Sequence, residues 1–378
     1  MYPNLFSEIQ IQELRLKNRL IMAPLYLAWA NEGGLVNDVL LEHYQLMAKS
    51  GVAMVVVENA SVDHPLGSGS NRTLRADTDE AIPGLARLAE TIKAEGALAC
   101  LQINHAGRFA YASEDSLAPS DITTFGRPSR SMTTDEINQV IAQFAAAAGR
   151  VKAAGFDMVE VHGGTGYLLS QFFSPRTNQR DDAYGGSLEK RQRLPLEVVE
   201  KVQEAVGNMP VGYRFLADEL LPDGLQLEDS CRFARKLSER GIAYISVMGG
   251  TYESWALPEI IQQCKQPGHM LNLAAGIRKE VQVPVVGAGR IATGALAEEA
   301  IVTGKADLIG LARVLWADPQ WPQKVPTGRE DTINHCKPAC GDSCIRMITK
   351  VRPALCASWP FEKKKAWRAK LTKPQLSR

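Results

Sequence analysis

The chain has 378 residues, and its 43 Lys and Arg against 42 Asp and Glu give a formal net charge of +1. That balance argues against a dedicated nucleic-acid binder, and 45% apolar with 22% charged residues is the composition of an ordered globular protein rather than a disordered one. The sequence shows neither an apolar run long enough to span a membrane nor a secretory signal, so we expect a cytoplasmic protein.

Eight short apolar segments alternate with longer amphipathic ones such as residues 137–154 and 191–206. Such alternation is typical of a parallel sheet covered by helices, and eight repeats predict an α/β fold of the (β/α)8 TIM-barrel type. A doubly wound sheet is the alternative, but its first strand requires a Gly-rich turn that residues 22–26 do not provide. The eight segments are residues 20–23, 54–58, 98–103, 158–162, 211–215, 244–247, 285–287 and 308–311.

The two ends of the chain depart from this repeat. Residues 6–16 alternate weakly and predict a small hairpin that closes the floor of the barrel. Three prolines between residues 319 and 326 mark the end of the barrel, so we expect a barrel domain over residues 1–320 and an extension over 321–378. The extension contains four of the seven cysteines and ends in a basic segment, residues 363–378, that we expect to be a solvated tail.

Active sites of such barrels lie at the carboxyl ends of the strands, and polar residues cluster there in this sequence. The turns after the seventh and eighth strands each combine a small residue with an arginine, in the pairs Gly289-Arg290 and Ala312-Arg313. Backbone N–H groups and guanidinium groups in adjacent turns suit a phosphate. The sequence therefore predicts a phosphorylated ligand at this side of the barrel.

Several motifs resemble the old yellow enzyme family of FMN oxidoreductases. Residues 102–108 read Gln-Ile-Asn-His-Ala-Gly-Arg, and residues 155–172 contain Val-Glu-Val-His followed by Gly-Tyr-Leu-Leu-Ser-Gln-Phe. The segments at residues 174–181 and 184–191 extend this signature, and the resemblance covers roughly residues 1–320. It implies a TIM barrel that binds FMN.

The resemblance assigns residues to the flavin. Reduction places negative charge on the pyrimidine edge of the ring, and Arg214 in the fifth strand would supply the opposing cation. Gln102 would hydrogen-bond the same edge, and Arg290 would contribute to the phosphate grip. The full set of cofactor-binding residues that the resemblance implies is Pro24, Leu25, Tyr26, Ala60, Gln102, Arg214, Gly289, Arg290, Ala312 and Arg313.

The resemblance also implies reduction of an activated alkene. Hydride would come from flavin N5, Tyr167 would donate the proton, and His162 with Thr165 would bind the substrate carbonyl. Thr165 departs from the family, which has His or Asn there, so the usual pocket for simple enones is in doubt. Glu253 aligns with a histidine that assists protonation in related enzymes, and is either an acid or a solvated loop carboxylate. Tyr26 replaces the usual Cys or Thr that tunes the flavin.

The four clustered cysteines are Cys336, Cys340, Cys344 and Cys356. Four thiolates in one compact segment fit a 4Fe-4S cluster, with structural zinc or unliganded thiols as alternatives. The window resembles the 2,4-dienoyl-CoA reductase and 2-enoate reductase branch, although its first gap is one residue longer. Long members of that branch carry a further FAD and NAD(P)H domain that this sequence lacks, so we expect NAD(P)H to act indirectly, through a separate flavoprotein or ferredoxin.

The resemblance thus predicts an FMN and iron–sulfur ene-reductase for an α,β-unsaturated acid or CoA thioester. Two alternatives remain open. The trimethylamine dehydrogenase branch oxidises amines with the same cofactors, and Tyr26, Trp29 and Tyr252 could form its aromatic cage. The other alternative is an electron-transfer subunit with an inactive pocket. The exact substrate, the direction of the reaction and any homo-oligomer are not determined by the sequence.

Overall fold

The computed structural model of the protein describes residues 1–337, 340 and 343–372. Its centre is a closed, parallel, eight-stranded barrel in which each barrel strand pairs with the next one along the chain and the last pairs with the first. The α/β TIM-barrel prediction is confirmed, and all eight predicted segments are barrel strands. The barrel strands are β3, β4, β5 and β9 to β13, within the set β1 (Ile9–Ile11), β2 (Leu14–Leu16), β3 (Leu20–Met22), β4 (Met54–Ser61), β5 (Leu98–Asn104), β6 (Leu117–Ala118), β7 (Ile122–Thr124), β8 (Arg127–Ser131), β9 (Met158–Gly163), β10 (Val211–Asp218), β11 (Tyr244–Gly249), β12 (Val285–Gly287) and β13 (Leu308–Leu311).

Amphipathic helices surround the barrel and bury one face against it. The longest helix has Thr133 as its N-cap residue. The Thr133 hydroxyl accepts from the N–H of Glu136, and the Glu136 carboxylate accepts from the N–H of Thr133. The helices are α1 (Asp38–Ala48), α2 (Ile82–Ala94), α3 (Thr134–Ala153), α4 (Leu168–Phe173), α5 (Leu188–Arg191), α6 (Arg193–Val206), α7 (Leu227–Glu239), α8 (Pro258–Gln263), α9 (Leu271–Arg278), α10 (Gly294–Val302), α11 (Arg313–Ala317), α12 (Trp321–Lys324), α13 (Ser343–Ile348) and α14 (Phe361–Thr372).

The hairpin predicted at the amino-terminal end is present as the antiparallel pair β1–β2. Its buried side chains Ile11 and Leu16 join one apolar cluster with barrel-interior residues such as Ile21, Met54 and Tyr244. The hairpin therefore seals the floor of the barrel, and only the opposite end, where the strands have their carboxyl termini, is free to form a site.

An unpredicted three-stranded sheet, β6 to β8, lies between β5 and α3. It contacts the segment after β5, because Arg108 donates to the Thr124 hydroxyl at 3.0 Å and Arg127 donates to the Ala110 carbonyl at 2.9 Å. The sheet thus covers the segment that follows β5 at the carboxyl end of the barrel.

Four tryptophans join the carboxyl-terminal extension to the barrel. Trp367 of α14 stacks on Trp29 with ring centroids 4.8 Å apart, and Trp359 packs edge-on against Trp316 at 5.1 Å. The Trp29 indole N–H also donates to the carbonyl of Ala354 at 2.9 Å. Residues 363–372 are therefore part of a packed helix rather than the solvated tail that the sequence predicted, and residues 373–378 lie outside the described part.

Among the helices that the structure describes, none is both long and apolar enough to cross a bilayer.

We predict that Trp367→Ala releases α14 from the barrel. The substitution removes a buried indole from the stack on Trp29, and such truncations cost about 3–5 kcal/mol in packed sites. Hydrogen exchange should therefore become fast over residues 361–372. The matched control is Lys365→Ala, an exposed position in the same helix. Unchanged protection of α14 in the Trp367 variant would contradict this account of the extension.

Candidate active site

A polar layer fills the upper part of the barrel interior. The Gln102 amide nitrogen donates to the Glu160 carboxylate at 2.7 Å, and the Arg214 guanidinium donates to the Ser246 hydroxyl at 2.7 Å. These contacts follow from strand pairing, because Gln102 lies opposite Glu160, and Arg214 lies opposite both His162 and Ser246. Burial raises the pKa of Glu160 and lowers that of Arg214, and the attraction between the two charges opposes both shifts.

His162 lies beside Arg214 with 5% of its surface exposed. Its Nδ1 accepts a hydrogen bond from the Gly164 N–H at 3.2 Å, which places the ring proton on Nε2. Burial, followed by repulsion from Arg214, holds the pKa of His162 well below its usual value. His162 is therefore a neutral imidazole that offers one N–H donor at Nε2.

Tyr167 lies next to this imidazole, with ring centroids 5.1 Å apart and planes nearly perpendicular. Its hydroxyl is 2.9 Å from the hydroxyl of Tyr252, and the Asn59 side chain also hydrogen-bonds to it. Burial raises the pKa of Tyr167 well above its usual value. The phenol is therefore neutral across the physiological pH range and can act as a proton donor.

The sequence did not identify Asn59 as a site residue. Asn59 lies where the pairing of β4 with β5 shifts between Val57 and Ala60, and its amide oxygen is buried with no hydrogen-bond partner among the described residues. The Asn104 amide oxygen at the end of β5 is likewise buried and unpartnered there. Buried polar atoms of this kind normally have a partner, so both oxygens are candidates for contact with a bound molecule.

Thr165 has a positive φ of 61°, a conformation that is costly for a β-branched residue. Its hydroxyl donates to the sulfur of Met248 at 3.4 Å, a weak acceptor. The strained position at the mouth of the barrel is consistent with a role in the site, but the hydroxyl contact is directed at Met248. The pairing of Thr165 with His162 at a substrate carbonyl stays a prediction.

Glu253 lies in an ion-pair bridge, and its role as an acid stays a prediction. Its carboxylate accepts a hydrogen bond from the buried Arg108 and lies 3.4 Å from a nitrogen of Arg176. The side chain is 18% exposed, so it is not a solvated loop carboxylate. Bridging two guanidinium groups occupies both oxygens, and its neighbour Tyr252 is the residue that reaches Tyr167.

The loop after β3 carries Pro24, Leu25 and Tyr26, all half-buried. The Tyr26 hydroxyl lies 2.5 Å from that of Ser70, and burial raises the pKa of Tyr26 to about 12. Behind the loop, the fully buried Glu58 accepts from the Leu27 N–H at 3.0 Å. Its other oxygen has no partner among the described residues, and burial raises the pKa of Glu58 to about 8.

The turns after β12 and β13 are brought together because these strands pair with each other. Gly289 has a φ of 108°, and a side chain there would meet the Met270 backbone nitrogen at 2.9 Å, so the turn requires glycine. Arg290 and Arg313 both lower the pKa of His269 by charge repulsion, after the larger effect of burial. Two cations thus lie near one imidazole, and the binding of a phosphate by these turns stays a prediction.

Two of the four clustered cysteines are electrostatic neighbours. After burial, the charge of Cys336 is a further cause of the raised pKa of the buried Cys356. Within residues 1–337, 340 and 343–372, no three Cys, His, Asp or Glu side chains form a group that could hold a metal ion. The cluster assignment therefore stays a prediction, supported by the donor chemistry and by this one pair.

The fold is a TIM barrel with a polar layer at its carboxyl end, and comparison with known proteins gives the family. Residues 4–332 match the model of the NADH:flavin oxidoreductase / NADH oxidase family. The chain is 40% identical over 352 residues to an NADH oxidase of Thermoanaerobacter brockii, across 91% of this chain and 54% of that protein. The chain therefore belongs to the NADH:flavin oxidoreductase / NADH oxidase family.

Two solved structures extend the comparison. A 2-naphthoyl-CoA reductase in complex with 2-naphthoyl-CoA superposes with a TM-score of 0.91 at 31% identity, over 97% of this chain and 58% of that one. A histamine dehydrogenase from Rhizobium sp. 4-9 superposes with a TM-score of 0.82 at 30% identity, over 95% of this chain and 52% of that one. The chain thus spans little more than half of these longer proteins and of the NADH oxidase.

The residues at the barrel mouth fit the FMN that the family implies. The guanidinium of Arg214 makes one hydrogen bond among the described residues, to the Ser246 hydroxyl. Its other N–H groups are therefore left for a ligand. The Gly289 turn leaves room for close approach of a phosphate to the backbone. The unpartnered oxygens of Asn59 and Asn104 add acceptors at the same end.

We predict that Glu58→Gln removes a pH dependence of folding stability. In the folded chain Glu58 has a pKa of about 8, against an ordinary value of 4.5, so the folded state binds more protons between these pH values. Wild-type stability should therefore fall as the pH rises from about 5 to 8, by on the order of 3 kcal/mol from this group.

Urea unfolding at pH 5, 6, 7 and 8 measures this effect, with Glu239→Gln at an exposed position as the control. The free energy of unfolding of the Glu58→Gln variant should change less with pH than that of the control variant. Equal pH slopes in both variants would show that Glu58 does not retain its proton in the folded protein.

Proposed function

We propose that the protein is an FMN-dependent ene-reductase of the enoate or enoyl-CoA type. The observation that carries this proposal is the buried neutral phenol of Tyr167 beside the neutral imidazole of His162. These two side chains offer a proton and a hydrogen bond without adding charge to the pocket. Similarity to a 2-naphthoyl-CoA reductase supports an unsaturated acyl thioester among the candidate substrates.

Arg214 and Gln102 would hold the pyrimidine edge of FMN, with Pro24, Leu25, Tyr26 and Ala60 lining the ring. Gly289, Arg290, Ala312 and Arg313 would bind its phosphate. When bound, FMN supplies a hydride from N5. The positive charge of Arg214 offsets the negative charge that reduction places on the ring.

The chain's own residues complete the reduction. The Nε2–H of His162 donates to the carbonyl oxygen of the substrate, with Thr165 as a second contact, and so withdraws electron density from the conjugated double bond. One alkene carbon receives the hydride, and the other receives the proton of the Tyr167 hydroxyl. The carbon–carbon π bond is lost, two C–H bonds form, and Tyr167 then needs a proton.

Tyr252 is positioned to return that proton. Its hydroxyl lies 2.9 Å from that of Tyr167, within reach for direct transfer. Burial raises the pKa of both phenols, so both are protonated before the reaction. The proton of Tyr252 would then replace the one that Tyr167 gives up.

We further propose that residues 321–378 form a cluster-binding extension of a barrel over residues 1–320, with Cys336, Cys340, Cys344 and Cys356 holding a 4Fe-4S cluster. The closeness of Cys336 to the buried Cys356 supports this ligand set. Electrons from NAD(P)H would reach the cluster through a separate flavoprotein or ferredoxin. The positive α14 surface, with Lys365 and Arg368 exposed, would favour an acidic donor.

Amine oxidation is the second candidate, favoured by similarity to histamine dehydrogenase. Part of an aromatic wall is present, because Phe109 packs edge-on against Tyr252 at 5.1 Å and Tyr252 against Trp255 at 5.7 Å. Trp29, which the sequence placed in this cage, instead packs against Trp367 of the extension and Trp316 of α11. Anaerobic flavin reduction by histamine or trimethylamine would favour this candidate over alkene reduction.

We predict that Tyr167→Phe slows alkene reduction at least ~100-fold, because it removes the proton donor while keeping the ring. The test is a stopped-flow measurement in which dithionite-reduced protein is mixed with 2-cyclohexenone or crotonyl-CoA and flavin reoxidation is recorded. FMN content and the rate of flavin reduction should be unchanged. Tyr252→Phe should give a smaller loss and move the pH at which the rate falls.

A Tyr167→Phe variant that reoxidises at the wild-type rate would exclude Tyr167 as the donor. Absence of reoxidation by any alkene in the wild type would contradict the ene-reductase proposal itself, and would favour the amine or electron-transfer alternatives.

We predict that Cys356→Ser loses the iron–sulfur signal, because the cluster would lose a thiolate ligand. Iron and sulfide analysis and the electron paramagnetic resonance spectrum of the reduced protein are the measurements. Cys231→Ser, a half-buried thiol on α7, is the matched control and should keep both. Stoichiometric zinc in place of iron in the wild type would contradict the assignment.

A further inference from the structure

We propose that Glu160 is a positioning residue that fixes the amide of Gln102 and offsets the charge of Arg214, and that it thereby sets the affinity and reduction potential of the flavin. The inference rests on the proposed FMN site and deepens it. Glu160 is fully buried in β9 and does not line the mouth of the barrel with the residues proposed to contact the ring.

Glu160 determines which way the Gln102 amide points. A side-chain amide has one accepting oxygen and one donating nitrogen, and an ionised carboxylate can only accept. Because Gln102 uses its nitrogen to donate to Glu160 at 2.7 Å, its oxygen is left as the acceptor for the ligand side. Gln102 would then direct its oxygen at an N–H of the flavin pyrimidine edge, N3–H, and accept its proton in a hydrogen bond.

Two hydrogen bonds hold the Glu160 carboxylate in place. Its other oxygen accepts from the Tyr244 hydroxyl at 2.7 Å, and Tyr244 in turn contacts the sulfur of Cys100 at 3.8 Å. Both carboxylate oxygens therefore accept hydrogen bonds from donors on the neighbouring strand β5 and on β11, the strand beyond β10. This arrangement suits the ionised form and leaves the carboxylate no freedom to turn away from Gln102.

The negative charge of Glu160 also opposes the positive charge of Arg214. Arg214 lies on the adjacent strand, and its attraction to Glu160 appears in the pKa values of both groups. A reduced flavin carries negative charge at the edge that Arg214 faces, so a nearby carboxylate weakens the stabilisation of the reduced ring. Glu160 therefore holds the reduction potential below the value that Arg214 alone would give.

Two substitutions separate the two effects. Glu160→Gln keeps the shape, removes the charge and allows the Gln102 amide to turn over. Glu160→Asp keeps the charge but is one methylene too short to hold Gln102. FMN affinity is measured by flavin fluorescence on apoprotein, and the midpoint potential by anaerobic spectroelectrochemistry on holoprotein at pH 7.

For Glu160→Gln we expect the dissociation constant of oxidised FMN to rise about tenfold and that of reduced FMN to change little. Such a tenfold difference raises the potential of a two-electron couple by ~30 mV. For Glu160→Asp, the affinity for oxidised FMN should fall to a similar extent, but the midpoint potential should not rise. Glu239→Gln, which removes an exposed carboxylate on α7, is the control and should change neither quantity.

A further measurement needs no variant. Wild-type protein loaded with 15N-labelled FMN should show the flavin N3–H resonance protected from exchange with solvent, because that proton would be donated to Gln102. Rapid exchange, or unchanged affinity and potential in Glu160→Gln, would overturn the inference. Failure of wild-type apoprotein to bind FMN would instead overturn the proposed function, so the two failures are distinguishable.

Discussion

The structure of this site depends on two opposite charges on neighbouring strands of the barrel, the fully buried Glu160 and the half-buried Arg214. Removing a charge from water costs several kcal/mol, so such groups persist only where hydrogen bonds satisfy their polar atoms. The closed barrel provides them, because strand pairing places Gln102 opposite Glu160, and Ser246 opposite Arg214. The fixed layer of polar atoms that results is the base on which the flavin site stands.

Above that layer, burial adjusts the protonation of every group that would meet the substrate. His162 is held neutral, and Tyr167 and Tyr252 are held protonated, with their hydroxyls 2.9 Å apart. A pocket of neutral donors suits delivery of a proton to a carbon atom that has just received a hydride. Nearby, Glu253 bridges Arg108 and Arg176 in a separate ion-pair network, in which Asp223 also pairs with Arg176.

Local sequence pattern was sufficient for the barrel and for the side chains that its strands carry. Residues alternate between the two faces of a strand, so a polar residue such as Arg214 in an apolar segment has to point into the barrel or towards its mouth. Glu160 carries the same signal, two residues before His162, and could have been found in this way. The eight segments themselves needed only composition and alternation.

Other residues depend on contacts that pattern does not contain. Asn59 faces Tyr167 because of an irregularity in β4, which changes the alternation at that point. Glu253 takes its role from Arg108 and Arg176, which are far away in the chain. The basic segment after residue 363 looked solvated because its buried aromatic anchor, Trp367, stacks on a tryptophan more than 300 residues earlier.

We propose that FMN in the barrel receives its electrons through an iron–sulfur cluster in the extension. An anaerobic visible-absorption titration of the purified protein, with NADH, then NADPH, then dithionite, tests it most directly. The account predicts flavin and broad iron–sulfur bands that only dithionite bleaches quickly. Fast bleaching by NADH or NADPH alone, or flavin bands without any iron–sulfur absorption, would contradict it.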